Sequence, residues 1–422
     1  MCHCAQPASG SGTMAPKELL MSIADASRPY VVISSDTHAG ASIQTYREYL
    51  DTEHQRLFDE WRGSYKNPQR EHIGSKKHKN WDDAERMGDM ETEGVVGEIV
   101  FPNTVPPFFR TSVLICGNPS VADYPMWLQG IRAHNRWLAD WCAEFPERRA
   151  GIGLVYLNDI DAAIEDVHWI AEHGLRGGIL LPHVPPDCTH LLPLYAPEYD
   201  RLWAVCQDLG VVVNQHGGTG SPDYGRYKVS LPIRLVETGW FSTRSYTHML
   251  LSGIFERFPR LRYIVTESGC AWVPATLENL DKLWARMRSG TVGEFQFADG
   301  ALPPEPPSFY ARRNCWYGAS SPSPRELEGR HQIGVDHLCW GSDYPHHEGT
   351  YPYTRKSLRH TFHAMDRGEV RAMLGENAAR LYGFDLGKLE PLAAKFGPTP
   401  DEVGVPLSAE EVPRDAGTMA FS

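Results

Sequence analysis

The chain has 422 residues, with 41 Lys and Arg against 53 Asp and Glu, a formal net charge of −12. An acidic balance without a basic cluster speaks against nucleic acid or an anionic membrane surface as partner. With 41% hydrophobic and 22% charged residues, the composition is that of a globular core, and no apolar run is long enough to span a membrane.

Residues 1–28 read as a flexible tail. It opens on Met1-Cys2-His3-Cys4, metal-binding residue types in a Gly/Ser-rich stretch, and lacks the basic and apolar regions of a signal peptide. From residue 29 to 385 short apolar runs alternate with helical stretches, which reads as one barrel domain. The runs are 30–34, 97–101, 152–156, 177–181, 211–214, 262–266, 315–318 and 338–341. They are too short for helices and rich in Val, Ile, Leu and aromatics, as buried parallel strands are. Between them, helices are expected over 131–145, 160–173 (closed by Gly174), 199–209 (closed by Gly210), 274–287, 325–333 and 377–382. Eight strand–helix alternations predict an α/β fold, a (β/α)8 TIM-like barrel with inserted loops at its C-terminal face.

Two segments exceed the minimal repeat. Residues 40–90 read as a long polar insertion carrying His54, His72 and His78, and residues 217–245 as a long Gly/aromatic loop. Both leave strand C-terminal ends, where barrel enzymes keep their sites, and both are expected to exclude bulk water. Residues 386–422 read as a C-terminal extension on the surface or partly disordered. Of nine Cys, six (Cys116, Cys142, Cys206, Cys270, Cys315 and Cys339) sit among apolar neighbours and read as buried hydrophobes. That usage suits a reducing cytoplasm.

The chemistry lies in how the strands end. The first runs into Ser34-Ser35-Asp36-Thr37-His38, and the fourth into Pro182-His183. The fifth runs into Gln215-His216-Gly217-Gly218, the sixth into Thr266-Glu267-Ser268, and the eighth into Gly341-Ser342-Asp343-Tyr344-Pro345-His346-His347. Five of eight strand ends thus deliver Asp, His or Glu to one rim, where burial without a cation is costly. The expected metal ligands are Asp36, His38, His183, His216, Glu267, Asp343 and one of His346 and His347. His134 and Asn135 read as structural. Trp240, Phe241, Arg244 and His248 line either a pocket or an oligomer contact, and Arg355 meets either a substrate carboxylate or a surface acid.

These residues, with Phe255-Glu256-Arg257-Phe258-Pro259 and Asn377-Ala378-Ala379-Arg380-Leu381-Tyr382, resemble the amidohydrolase-related family over about residues 30–385. That resemblance implies a metal-dependent barrel enzyme with Asp343 as ligand and proton-handling carboxylate. Asp343 and His216 are the residues expected to take part in the chemistry. The chain departs from the family pattern in three places. Asp36 stands for the first His of His-x-His, Glu267 stands where His is frequent, and His183 lies near the place of a bridging lysine.

Three carboxylates favour hard, oxygen-loving ions, which suits iron and manganese better than zinc and points to two ions. The set thereby resembles an O2-dependent, 2-aminoisobutyrate hydroxylase-like subgroup. The expectation is an O2-activating Fe/Fe or Fe/Mn monooxygenase that needs an electron donor and a small-molecule substrate. The alternative is a hydrolase or non-oxidative decarboxylase with one ion, zinc included. A non-catalytic barrel subunit is a third class, and assembly as a homo-oligomer or with a related barrel subunit fits the acidic surface.

Overall fold

The computed structural model describes residues 27–66 and 77–421. Met1-Cys2-His3-Cys4, most of the N-terminal tail and His72 lie outside the described residues. Eight parallel strands appear where the apolar runs predict them. They are β1 (Val32–Ala39), β2 (Val95–Pro102), β3 (Arg149–Leu154), β4 (Gly178–Leu180), β5 (Val212–His216), β6 (Arg262–Thr266), β7 (Cys315–Ser320) and β8 (Leu338–Gly341). They pair in chain order. The ring is drawn shut where the backbone N–H groups of Asp343 and His38 donate to the Asp36 and Tyr344 carbonyls at 2.9 and 2.7 Å. The fold is a (β/α)8 barrel.

The outer layer holds α1 (Thr52–Ser64), α2 (Asp83–Glu93), α3 (Tyr124–Ala143), α4 (Ile160–Glu172), α5 (Asp200–Leu209), α6 (Ser230–Leu251), α7 (Val273–Arg288), α8 (Pro307–Asn314), α9 (Thr354–Phe362), α10 (Asn377–Tyr382) and α11 (Leu386–Phe396). Local chemistry sets several of their ends. Asp159 accepts from the N–H groups of Asp161 and Ala162 at the start of α4, and Gly210 closes α5 at φ 66°.

One end of the barrel is plugged. Ile33, Ile99, Ile152, Val212 and Ile264 from the strands share an apolar cluster with Ala378, Leu381, Tyr382, Phe384 and Leu389. The Tyr382 hydroxyl donates to Asn214 Oδ1 at 2.7 Å. The opposite, C-terminal end is left for polar groups. Leu389 from the C-terminal extension is part of this packing, and Ala393, Val403 and Ala420 in the same extension are buried.

The segment 217–245, expected as loop, is loop only to 229 and then the 22-residue α6. Leu231, Leu235, Val236 and Trp240 on its first half are exposed, so it shows no one-sided apolar pattern. The segment 40–90 likewise contains α1 and most of α2, capped by Asp82 and ended by Gly94 at φ 83°.

Candidate metal centre

Each strand end contributes in a defined way. All eight residues of β1 are buried, Asp36 and His38 among them. The pairing register of β1 with β2 slips between Ser34 and Thr37, a bulge that re-aims this stretch. Gly341 on the neighbouring β8 makes room, since a Cβ there would stand 2.7 Å from the Asp36 Cβ. His216 ends β5. A Cβ on Gly217 would sit 2.1 Å from the Glu267 carbonyl, so only glycine lets the tips of β5 and β6 approach this closely.

Glu267 and Asp343, immediately past β6 and near the end of β8, are both left-handed, at φ 52° and 57°. Side-chain-bearing residues rarely adopt this conformation, and it persists where surrounding structure enforces it, often at functional sites.

The side chains converge. His216 Nε2 lies 2.8 Å from Glu267 Oε2 and 3.6 Å from Asp36 Oδ1. His38 Nε2 lies 3.3 Å from Asp36 Oδ1 and 3.2 Å from Asp343 Oδ1. The donor atoms of Asp36, His38, His216 and Glu267 all fall within 4.8 Å of one another, and so do those of His38, Asp343 and His346.

The arrangement fits a divalent cation on three counts. Asp36 Oδ1, His38 Nε2 and His216 Nε2 are buried atoms without a hydrogen-bond partner, aimed at a common centre. His216 Nδ1 lies 2.8 Å from the Gly217 carbonyl, which fixes the proton on that nitrogen and leaves Nε2 as the inward lone pair. Donor separations of this size suit an ion about 2.0–2.3 Å from each ligand.

Electrostatics agree with the geometry. Burial alone would raise the Asp36 carboxyl, but the adjacent His216 and His38 imidazoles hold it far below the usual range. Burial opposes charge on His216, and the Glu267 and Asp36 carboxylates override it and raise the imidazole well above its ordinary value. Burial, reinforced by Asp343 and Asp36, raises Glu267 against the pull of His216. The cluster thus demands positive charge. A proton on His216 supplies some of it; a divalent ion would supply more.

The remaining expected residues fall around this knot. His346 Nδ1 meets Asp343 Oδ1 at 2.7 Å, and its Nε2 lies 3.2 Å from Asn103 Oδ1. Both ring edges are therefore engaged. Burial pushes the His346 imidazole down, but Asp343 outweighs it and holds it at about 9. His347 is exposed.

His183 is not among the clustered donor atoms. It lines an adjacent cleft with Nδ1 2.5 Å from Ser245 Oγ and Nε2 without a partner, and burial, with His216 nearby, pushes it down to about 3. His134 is tied to the Tyr46 hydroxyl at 2.8 Å, and Asn135 to the Leu154 backbone. Arg355 pairs with Glu402 at 2.9 Å, Arg244 donates to the Val184 carbonyl, and Trp240 is exposed.

Two contributors escape a search for Asp, His and Glu alone. Ser320, the last residue of β7, donates to Asp36 Oδ2, and Asn103 follows β2. Strand-end position marks both; residue type does not.

A family model described as amidohydrolase matches residues 115–384. A gamma-resorcylate decarboxylase from Rhizobium sp. (strain MTP-10005) is 24% identical over 248 residues, which is 56% of this chain and 72% of that protein. One from Rhodococcus jostii (strain RHA1) is 28% identical over 183 residues, 41% of this chain and 55% of that one. Among solved structures, 5-carboxyvanillate decarboxylase from Sphingomonas paucimobilis superposes with a TM-score of 0.61 at 19% identity, covering 84% of this chain and 100% of the other. A dihydroxybenzoic acid decarboxylase from Polaromonas sp. JS666, with bound manganese and 2-nitroresorcinol, gives 0.57 at 16%, covering 84% and 97%. The sequence relatives are decarboxylases. They overturn the expectation of an O2-activating monooxygenase, and with it the need for O2 and an electron donor.

Proposed function

The chain belongs to the amidohydrolase family, and from that premise we propose that it is a metal-dependent, non-oxidative decarboxylase of an aromatic, phenolic acid. The observation that carries this reading is a knot of orphaned donors beside a proton-holding pair, Asp343 and His346. Its relatives act as decarboxylases of resorcylate type.

Asp36, His38, His216, Glu267 and Asp343 would hold one divalent ion, of the manganese kind given the oxygen-rich set. The neighbouring trio of donor atoms from His38, Asp343 and His346 is where a second ion would sit. When bound, the ion supplies positive charge that anchors the acid's oxygens and stabilises negative charge on them.

The protein's own groups do the rest. Asp343 and His346 share a proton between Oδ1 and Nδ1, and Asp343 hands it to the ring carbon that bears the carboxylate. The bond from that carbon to the carboxylate then breaks, its electron pair restores the aromatic ring, and carbon dioxide leaves. No oxidant or reductant enters the balance. Asn103 and Ser320 keep His346 and Asp36 in place.

The test is carbon dioxide release from 2,6-dihydroxybenzoate and related phenolic acids under anaerobic conditions. Turnover is expected without oxygen, lost after chelation and restored by Mn2+. Turnover that consumes oxygen, or none with any phenolic acid by the manganese-loaded protein, contradicts the reading.

A further inference from the structure

The first half of α6 is turned the wrong way for a solitary chain. From residue 229 to 240 every exposed position is apolar or glycine. Val229, Leu231, Ile233, Leu235, Val236 and Trp240 all stand in solvent, Val236 at 84% and Trp240 at 73% of full exposure. The polar residues of the same stretch are the ones that turn inward. Arg234 donates from Nη2 to the Ile115 and Gly218 carbonyls at 3.3 and 3.5 Å. Glu237 accepts from the Tyr224 hydroxyl at 2.7 Å, and the Ser230 hydroxyl donates to the Tyr224 carbonyl at 2.9 Å. A surface helix ordinarily lays its apolar stripe on the core and its polar side in water. Here the only polar stripe meets the loops that follow β2 and β5, and every other side is apolar.

The exposed residues form one surface, because positions three and four apart on a helix are neighbours. Leu231 adjoins Leu235, and Ile233, Val236 and Trp240 follow one another. Together this half-helix presents on the order of 800 Å² of apolar surface, more than the largest patch of an ordinary monomer and close to one partner's share of a standard interface.

We propose that this face is the contact of a homodimer, in which α6 of one chain packs against α6 of a second copy. A two-fold contact pairs a patch with itself. An uncharged apolar helix is complementary to its own copy, and each chain brings the area that such a contact requires. A lipid surface fits less well. A helix lying on a membrane offers Lys and Arg along its polar face, whereas this polar stripe is bonded inside the protein and the chain's net charge is −12. The contact would also brace the site from behind. The second half of α6 carries Ser245, whose hydroxyl meets His183 Nδ1 at 2.5 Å, and the Ser242 carbonyl, which accepts from Gln215 at 2.7 Å. The proposal holds whatever reaction the donor knot performs.

The test is sedimentation velocity on the full chain at about 50 μM, above the micromolar constants that mark the weak end of interfaces this size. The native protein is expected at twice the mass of one chain. Leu235→Glu combined with Val236→Glu, and separately Trp240→Glu, should sediment at half the native mass with unchanged circular dichroism, since a charge on this face is buried unpaired only in the dimer. Hydrogen exchange maps the contact without any substitution. The amides of residues 229–240 should slow as the native protein is concentrated into the dimer. A native chain that stays monomeric, variants that keep the native mass, or exchange over 229–240 that ignores association would overturn the proposal. A native monomer that floats with phosphatidylcholine vesicles would overturn it too and assign the face to lipid.

Discussion

Asp343→Asn lowers carbon dioxide release by about 10²–10⁴-fold, the usual weight of a positioned proton donor, while the protein keeps its metal. Asparagine has the shape of aspartate but accepts no proton to pass to carbon. The carboxylate is well placed for that task, with His346 Nδ1 2.7 Å away and His38 Nε2 3.2 Å away. The donor atoms of four further candidates, Asp36, His38, His216 and Glu267, remain within 4.8 Å of each other. Measured side by side, turnover should collapse and manganese content hold. Turnover within about threefold of native removes Asp343 from the proton path, since a positioned acid or base is worth at least 10²-fold. Joint loss of metal and turnover makes it a ligand alone.

The second large effect is on stability. Glu98 on β2 is fully buried and is gripped by Arg86 Nη2 at 2.6 Å and by Arg149 Nε at 3.4 Å, with Thr37 Oγ1 donating at 3.0 Å. Arg86 in turn donates from Nη1 to the His38 carbonyl at 2.8 Å, so the charge cluster props up the backbone of a ligand strand. Replacing one member of a buried ion pair leaves the others uncompensated. Glu98→Gln is therefore expected to cost about 3–5 kcal/mol in urea unfolding. A loss below about 1 kcal/mol, the scale of a surface pair, would contradict this.

The same pair gives a pH signature. Burial would raise the Glu98 carboxyl, but the two guanidinium groups hold it below its ordinary value. A depressed carboxylate contributes stability above its unfolded value, about pH 4.3, and loses it as pH falls toward the folded value. The native protein's advantage over Glu98→Gln should thus be constant above about pH 5 and shrink below about pH 4.3.

The barrel and most of its rim could be read from residue order. Each apolar run stops at a polar residue, and in a parallel barrel all such stops face one end. Asp36, His38, His216, Glu267 and Asp343 were therefore identifiable before their distances were known. Glu98 was not, because one acid inside Val95-Val96-Gly97-Glu98-Ile99-Val100 gives no hint of Arg86 and Arg149 folding over it. His183 looked like a ligand because it ends a strand, but the very short β4, three residues long, sets it against the cleft.

The reaction was the least legible part. An oxygen-rich donor set narrows the ion, but the same ligands serve hydrolysis, decarboxylation and oxygen activation. Residue types around the ion do not state whether electrons are exchanged. Shared sequence with decarboxylases speaks against electron exchange, the point that ligand chemistry left open.

The most direct measurement is metal content per chain by mass spectrometry after manganese loading and gel filtration, for the native protein and for Asp36→Ala combined with His216→Ala. One ion per native chain and essentially none in the double variant, which still folds by circular dichroism, is the predicted result. A native chain that retains no divalent ion, or a double variant that retains as much as the native, would contradict the account at its root.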